Sequence, residues 1–385
     1  MNPFYILVGI IIGIFAAVFP GIHPNSISSI ISLMTIENHV EILIAMLGVY
    51  GVLVFIPSIF FGIADGETGI GLLPGQRLYL EGRGREAVYI VIVSSLISAI
   101  VAAVGGYLIF FVFDFLNKYI SMYIGYILII ISIFFILKEK EKASVVLALY
   151  LICGIFGYFS LNFKLTDPLF AMFVGFFTVP AILQLKNSNP PTQKMELENK
   201  DIDFLVYVLV GCLLGAIADF LPGISSPAQL AMISSIFLNL KNPRDFLSHI
   251  VAIEVSHNIF AIATAAAGDI ARVGTIAIAK NFVEFTIYNY SYYVIIFLIS
   301  VVVGAVVFEK LSEKIVKSIG KMDLQKIGQI VLIYLVCMNL LINGPKGLVV
   351  LVLASLIGFL PYKTNLPRTY LMSSIILPSI IYFFR

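Results

Sequence analysis

The chain is 385 residues long, 60% apolar and only 12% charged, with mean hydropathy +1.03 and a formal net charge of +2. That balance excludes an ordinary water-soluble domain, and basic residues scattered over short loops exclude the aromatic-interleaved basic face a nucleic acid needs. Cys153, Cys212 and Cys337 stand singly in apolar segments, with no CxxC or histidine at ligand spacing, so they read as small core residues without redox or metal chemistry.

Taken in chain order, residues 4–19 form a first apolar segment that lacks a basic n-region and a cleavage site, which makes it part of the mature protein rather than a signal peptide. It stops at Pro20-Gly21, and proline followed by glycine inside an apolar run removes an amide donor and relaxes the backbone. Two half-helices, 4–19 and 25–35, are therefore expected in place of one spanning helix, followed by a full helix over 40–62. Further segments over 87–113, 119–137, 142–158 and 166–183 reach about the 17 to 25 residues that cross the hydrocarbon. Residues 185–203, with Pro190-Pro191 and a run of charges, read as a linker between a first membrane unit, 1–184, and a second, 204–385.

The second unit repeats the first. Val8-Gly9, Gly13, Ala16 and Pro20-Gly21-Ile22 recur as Val210-Gly211, Gly215, Ala218 and Pro222-Gly223-Ile224, always 202 positions later. Half-helices over 204–220 and 227–240, a full helix over 246–268, and segments over 292–308, 324–342, 345–361 and 367–383 follow, the last three at nearly that interval, with the polar stretch 269–291 able to hide a broken helix. The fold expected is an all-α polytopic membrane protein of two inverted-topology repeats. Each repeat is a re-entrant pair broken at Pro-Gly plus about five transmembrane helices, and five crossings oblige the second repeat to be upside down. On that topology the loops at 77–85, 138–142, 186–200, 241–244, 310–326 and 363–368 share a side and hold 18 of the 24 lysines and arginines. The other six are Lys118, Lys164, Arg272, Lys280, Lys346 and Arg385. Positive charge collects in the cytoplasm, so both termini are expected outside and the linker inside.

Broken helices expose amides and carbonyls near the membrane midplane, where an anion can be held by the positive end of a half-helix. The first candidates are Pro20, Gly21, His23, Asn25 and Ser26, with Ser28 and Ser29 behind them, and Pro222, Gly223, Ser225 and Ser226 in the second copy. Asn25, Ser26, Ser225 and Ser226 are also ordinary helix-capping residue types. Ionisable groups inside apolar segments are costly and so point to function. These are Asp65 and Glu67, with Thr68 beside them, Asp219 before the second break, and Glu254, His257 and Asn258 at i, i+3 and i+4 on one helix face. Asp269 reads as a loop residue, while His39 and His249 are expected at the membrane interface. Acids beside half-helix ends suit coupling to Na+ or H+, with Glu254 and Asp65 as the expected carriers.

Gly66-Glu67-Thr68, Pro74-Gly75 and Glu81-Gly82-Arg83-Gly84-Arg85-Glu86-Ala87 resemble the Gly-Ser…Pro-Gly stretch and the following Gly-x-x-x-x-Ala loop of the TctA-type permeases, the large membrane subunits of tripartite tricarboxylate transporters. Leu221-Pro222-Gly223, Asn242-Pro243-Arg244-Asp245-Phe246 and Glu254-Val255-Ser256-His257-Asn258 are similar to that family's later elements, although His257 stands where an asparagine is usual. The resemblance implies a permease for a di- or tricarboxylate, with Glu254, Asn258 and both Pro-Gly breaks in the substrate and ion site. It also implies a solute-binding protein and a small membrane subunit as partners; a homodimer is a further expectation. Residues 215–225 are similar, too, to a short motif of polyprenyl-phosphate translocases, which would make the anion a lipid phosphate. An intramembrane aspartyl protease would need Asp65 and Asp219 to face each other, but the supporting Gly-x-Gly-Asp is absent.

Overall fold

The structure is a computed structural model of the whole chain. It describes residues 2–19, 22–34, 38–62, 72–138, 140–184, 192–194, 196–197, 200–221, 226–238, 240, 242–268, 270–319 and 324–385. Among these the regular structure is helical, in the order α1 (Pro3–Val18), α2 (Pro24–Ser32), α3 (His39–Leu53), α4 (Leu72–Leu80), α5 (Gly84–Leu137), α6 (Ala143–Leu161), α7 (Pro168–Phe173) and α8 (Val179–Leu183). Then come α9 (Leu205–Ala218), α10 (Pro227–Phe237), α11 (Pro243–Gly268), α12 (Gly274–Ala279), α13 (Ile287–Ile319), α14 (Leu324–Gly358), α15 (Leu360–Thr364) and α16 (Ser373–Phe383). Six stretches are long and apolar enough to cross a membrane: His39–Phe61, Gly84–Tyr119, Lys140–Leu161, Pro243–Gly268, Ile287–Val316 and Gly328–Thr364. The protein is a multi-pass membrane protein, and residues such as Ile100, Val104, Leu108 and Phe111 turn a continuous apolar stripe outward, as lipid requires.

Several boundaries have visible causes. Pro24 at the first turn of α2 needs no amide partner, and His23 caps that turn by accepting from Asn25 N at 3.1 Å. In α14 the ladder breaks at Gly344, whose φ of +65° suits a residue without Cβ, directly before Pro345. The expected segments over 324–342 and 345–361 are the two parts of this element. Ahead of Pro180 the helix widens to a π-turn over Val174–Thr178, because proline leaves no amide for the usual carbonyl.

Element α5 is too long to be one straight rod. Glu86 pairs with Arg244, while the ring of Phe134 lies 5.3 Å from that of Phe237, only seven residues before Arg244. A straight helix would hold residues 86 and 134 about 70 Å apart, whereas the chain from 237 to 244 can span no more than about 25 Å. The two apolar segments, Gly84–Tyr119 and Met122–Leu137, therefore lie side by side.

Helix directions follow from the contacts. Gly9 sits against Ile42 and Gly13 against Met46, so α1 and α3 run parallel; Gly211 against His249 and Gly215 against Ile253 and Ser256 give α9 and α11 the same relation. Both pairs use glycines four apart, and a Cβ on Gly13 would lie 2.5 Å from the Met46 carbonyl oxygen, so small residues let these backbones touch. Helix α5 runs parallel to α11, from Glu86 beside Arg244 to Phe113 against Gly268. Helix α13 runs parallel to α3, from Tyr292, whose hydroxyl donates to Glu41 at 2.9 Å, to Gly304 against Val52. Helices α5 and α13 are antiparallel, with Arg85 paired to Glu309 and the Tyr290 hydroxyl donating to Ala103 O at 3.1 Å. A second group of helices packs across the sequence: α6 on α16, with Gly157 against Ser374, and the last part of α14 on residues 174–183, with Gly175 against Ala354 and Gly358 against Phe176.

His249 is fully buried, its Nδ1 at 2.9 Å from Tyr207 O and its Nε2 at 2.7 Å from Ser234 Oγ, and it ties α9 and α10 to α11. One expectation needs correction. Cys337 is exposed, although Cys153 and Cys212 are buried as small core residues. The short helix α12 occupies the stretch where a broken helix could hide. Replacing Gly13 or Gly215 with leucine is expected to overpack these seams and cost about 1–3 kcal/mol. Thermal unfolding in detergent reads this as a lowered midpoint, while Leu209→Ala, on an exposed face, leaves the midpoint unchanged.

Candidate functional site

The first break and the second unit meet at α12. Thr275 Oγ1 donates to Asn25 Oδ1 at 3.2 Å, Ser28 Oγ lies 3.1 Å from Thr275 Oγ1, and Gly274 packs on the Asn25 amide. Asn25 is therefore not the cap of α2, a task taken by His23; its side chain crosses to the other unit. Ser28 and Ser29 donate to the carbonyls of Pro24 and Asn25, which fastens the first turn of α2. The His23 ring stands edge-on to Tyr50, centroids 5.8 Å apart, and beside Tyr50 on α3 Gly51 leaves room for the amide of Asn258. Asn258 Nδ2 donates to its own helix at Glu254 O, 2.9 Å, and lies 3.3 Å from Glu254 Oε1. Glu254 and Asn258 are both buried.

The second break is anchored by Asp219, which ends α9 and is 1% exposed. Its Oδ1 accepts from His257 Nε2 and from Arg272 N, both at 3.1 Å, and its Oδ2 accepts from Thr264 Oγ1 at 2.6 Å. His257 and Asn258, adjacent on α11, consequently serve different partners: His257 reaches Asp219, and Asn258 stays with Glu254. Asp65, the partner that an aspartyl protease reading would need opposite Asp219, lies outside the described residues. Beyond Thr264, a cavity of ≈ 380 Å³ opens between residues 265–268 and Lys280, Val283, Glu284 and Phe285.

Pro20, Gly21, Asp65, Glu67, Thr68, Pro222, Gly223, Ser225 and Asp269 lie outside the described residues, as does the side chain of Ser26. The Ser226 carbonyl accepts from Leu230 N at 3.1 Å in the first turn of α10. Sequence reasoning passed over Tyr50, Thr264, Arg272 and Thr275. Thr275 follows Gly274 at the start of a six-residue helix, a signal too short to be read from periodicity.

On the side expected to be cytoplasmic, the two loop motifs meet. Arg244, 3% exposed, pairs with Glu86 and donates to Asp203 Oδ1 at 2.8 Å, while Arg83 takes the other Glu86 oxygen at 2.7 Å. The hydrogen bond to Glu86 raises the Arg83 guanidinium above its ordinary value, with partial burial opposing. The linker is strapped to the same place: Lys194 N donates to Gly82 O at 2.9 Å, Gly84 N to Gln193 Oε1 at 3.0 Å, and the Tyr89 hydroxyl to Lys200 O at 2.8 Å. Arg244→Met strips a buried carboxylate of one of its two cations, and breaking such a pair costs about 3 kcal/mol or more. The expected reading is a sharp fall in thermal midpoint, largely restored by the double variant Arg244→Met, Glu86→Leu.

Comparison with known proteins places these elements in context. The model of the tripartite tricarboxylate transporter TctA family matches residues 4–203. An uncharacterized protein of Methanocaldococcus jannaschii is 29% identical over 404 aligned positions, covering the whole of both chains. No solved structure matches.

Proposed function

Because the chain belongs to the tripartite tricarboxylate transporter TctA family, we propose that it is a secondary transporter moving a small organic anion, a di- or tricarboxylate, by alternating access and coupled to Na+ or H+. The observation that carries the reading is the meeting of the two units around two interrupted helix pairs, where Asn25 bonds Thr275 and buried Glu254, Asn258 and Asp219 lie close by. A structural membrane protein gains nothing from ionisable groups kept in that position. The family's tripartite character supports a solute-binding protein as the partner that delivers the anion, with a small membrane subunit beside it.

Inverted repeats are supported by helix direction. The pair α3 and α13 is antiparallel to the pair α5 and α11, because α5 and α13 oppose each other. Yet α3 corresponds to α11, and α5 to α13, at intervals of 204 and 203 residues by their first residues, His39 to Pro243 and Gly84 to Ile287. Equivalent helices thus run opposite ways. Re-entrance is supported in the same manner: α1 and α3 run parallel, so the chain between them returns to the side it came from, and α9, α10 and α11 repeat the pattern. The cross-packed helices obey the same two-fold relation. Lys142 Nζ donates to Thr364 O at 3.0 Å, and Asn343, before the equivalent helix, bonds the backbone of Asp167 at 2.8 and 2.9 Å.

Purified protein in liposomes is expected to accumulate labelled citrate or a dicarboxylate under an imposed ion gradient, and Glu254→Gln or Asn258→Ala is expected to lower uptake about tenfold or more. Uptake by neither wild type nor variant, for any di- or tricarboxylate tried with the solute-binding protein present, would remove the carboxylate reading.

A further inference from the structure

We propose that His257 and Asp219 form the proton-binding site of this chain, making H+ the coupling ion; this rests on the transport reading above and deepens it. The two side chains are 6% and 1% exposed, lie 3.1 Å apart, and sit where α9 ends, three residues before Pro222. Asp219 acts only as an acceptor, since its two oxygens take three donors, from His257, from the amide of Arg272 and from the hydroxyl of Thr264. A carboxylate so placed holds His257 in the tautomer with hydrogen on Nε2. That leaves Nδ1 as the basic nitrogen, and Nδ1 makes no hydrogen bond among the described residues. A proton adding there breaks no bond and converts the pair from a lone buried carboxylate with a neutral ring into an imidazolium and carboxylate.

The surroundings isolate this reaction. Charged groups near the pair are Arg272, from the segment before α12, and Glu254, one turn back on α11. Around α11, α10 and α12 carry no titratable side chain, α9 carries Tyr207 and the buried thiol Cys212, which meets Ser256, before it ends at Asp219, and α4 offers Arg77 and Tyr79 at the far, N-terminal end. From α3 comes Tyr50, which meets His23; from α13 comes Tyr290, bonded to α5; on α5 Tyr107 is bonded to Ser291 and Asp114 is exposed. His249 on α11 is two turns away and closed at both nitrogens. Arg272 presents only its amide to the carboxylate and its Nε to the Asp219 carbonyl, at 3.4 Å, so its guanidinium does not replace the imidazole. A cavity of ≈ 380 Å³, lined in part by Lys280 and Glu284, lies beside Ala265, the residue after Thr264 on α11. Protonation places one added positive charge at a broken-helix end, which favours an anion there; by linkage, anion binding favours the proton in equal measure.

The chain has four histidines, which makes the test direct. The full-length protein, labelled with 15N-histidine and held in lipid nanodiscs, is titrated by NMR, and the resonances absent in His257→Gln, or in His257→Asn if the first fails to fold, identify His257. The expected result is a change of protonation state at His257 during the titration, and an altered response in Asp219→Asn. In liposomes given citrate, the ratio of uptake with a pH gradient to uptake without one is expected to be about tenfold for wild type and to fall to about one in His257→Gln. A His257 ring that keeps one state throughout, or a His257→Gln protein whose uptake still follows the pH gradient, overturns the proposal. Titration at His257 in a protein that moves no carboxylate supports the proton site and sinks the substrate reading instead.

Discussion

Asp219 stands where α9 stops, 1% exposed, and its carboxylate is satisfied from within the protein. A polar group shut away from water must find such partners or cost several kcal/mol. The carboxylate collects an imidazole, a hydroxyl and an amide from two points on α11 and from the strand of chain leading to α12. In doing so it fixes the distance between the end of α9 and the long helix beside it. That same segment sets Thr275 against Asn25, so the geometry of the first break is tied, through α12, to the carboxylate at the second.

A comparable constraint operates at the membrane surface. Arg244, Glu86, Asp203 and Arg83 make a charge cluster in which two members are almost wholly out of water, and such groups persist only when each has a well-placed counterion. The cluster holds the starts of the parallel helices α5 and α11 together, and residues 192–194 lie across it. Gly82, with φ of +80° and the Thr192 carbonyl where a Cβ would project, allows the strap to lie flat on the loop. The linker between the two units is thus packed structure over these residues rather than a free tether.

Much of the architecture was legible in the sequence because its causes are local. Pro24, Pro227 and Pro243 at helix starts, the glycines four apart in α1 and α9, and the apolar lengths all act within a few residues of themselves. The helix boundaries read from them fall within a few residues of those observed. The i, i+3, i+4 spacing placed Glu254, His257 and Asn258 on one face, yet it could not show that His257 turns to Asp219, since that depends on where α9 ends 38 positions earlier. The partners of His249 were hidden for a similar reason: nothing near it in sequence reveals that Tyr207 and Ser234 supply both. Arg272 and Thr275 were missed because they act through a backbone amide and a short helix.

The exchange of helices between the two units bears on how the protein is made. Helix α6 lies against α16, and the π-turn region with α8 lies against the end of α14, more than 170 residues away in each case. When residue 183 has been synthesised, the segments that cover Gly157 and Gly175 do not yet exist. The first half must therefore wait in the bilayer with those seams facing lipid, or a holding factor, until the second half is inserted. Neither half carries a complete core, so the chain reaches its packed state only after the last helix arrives.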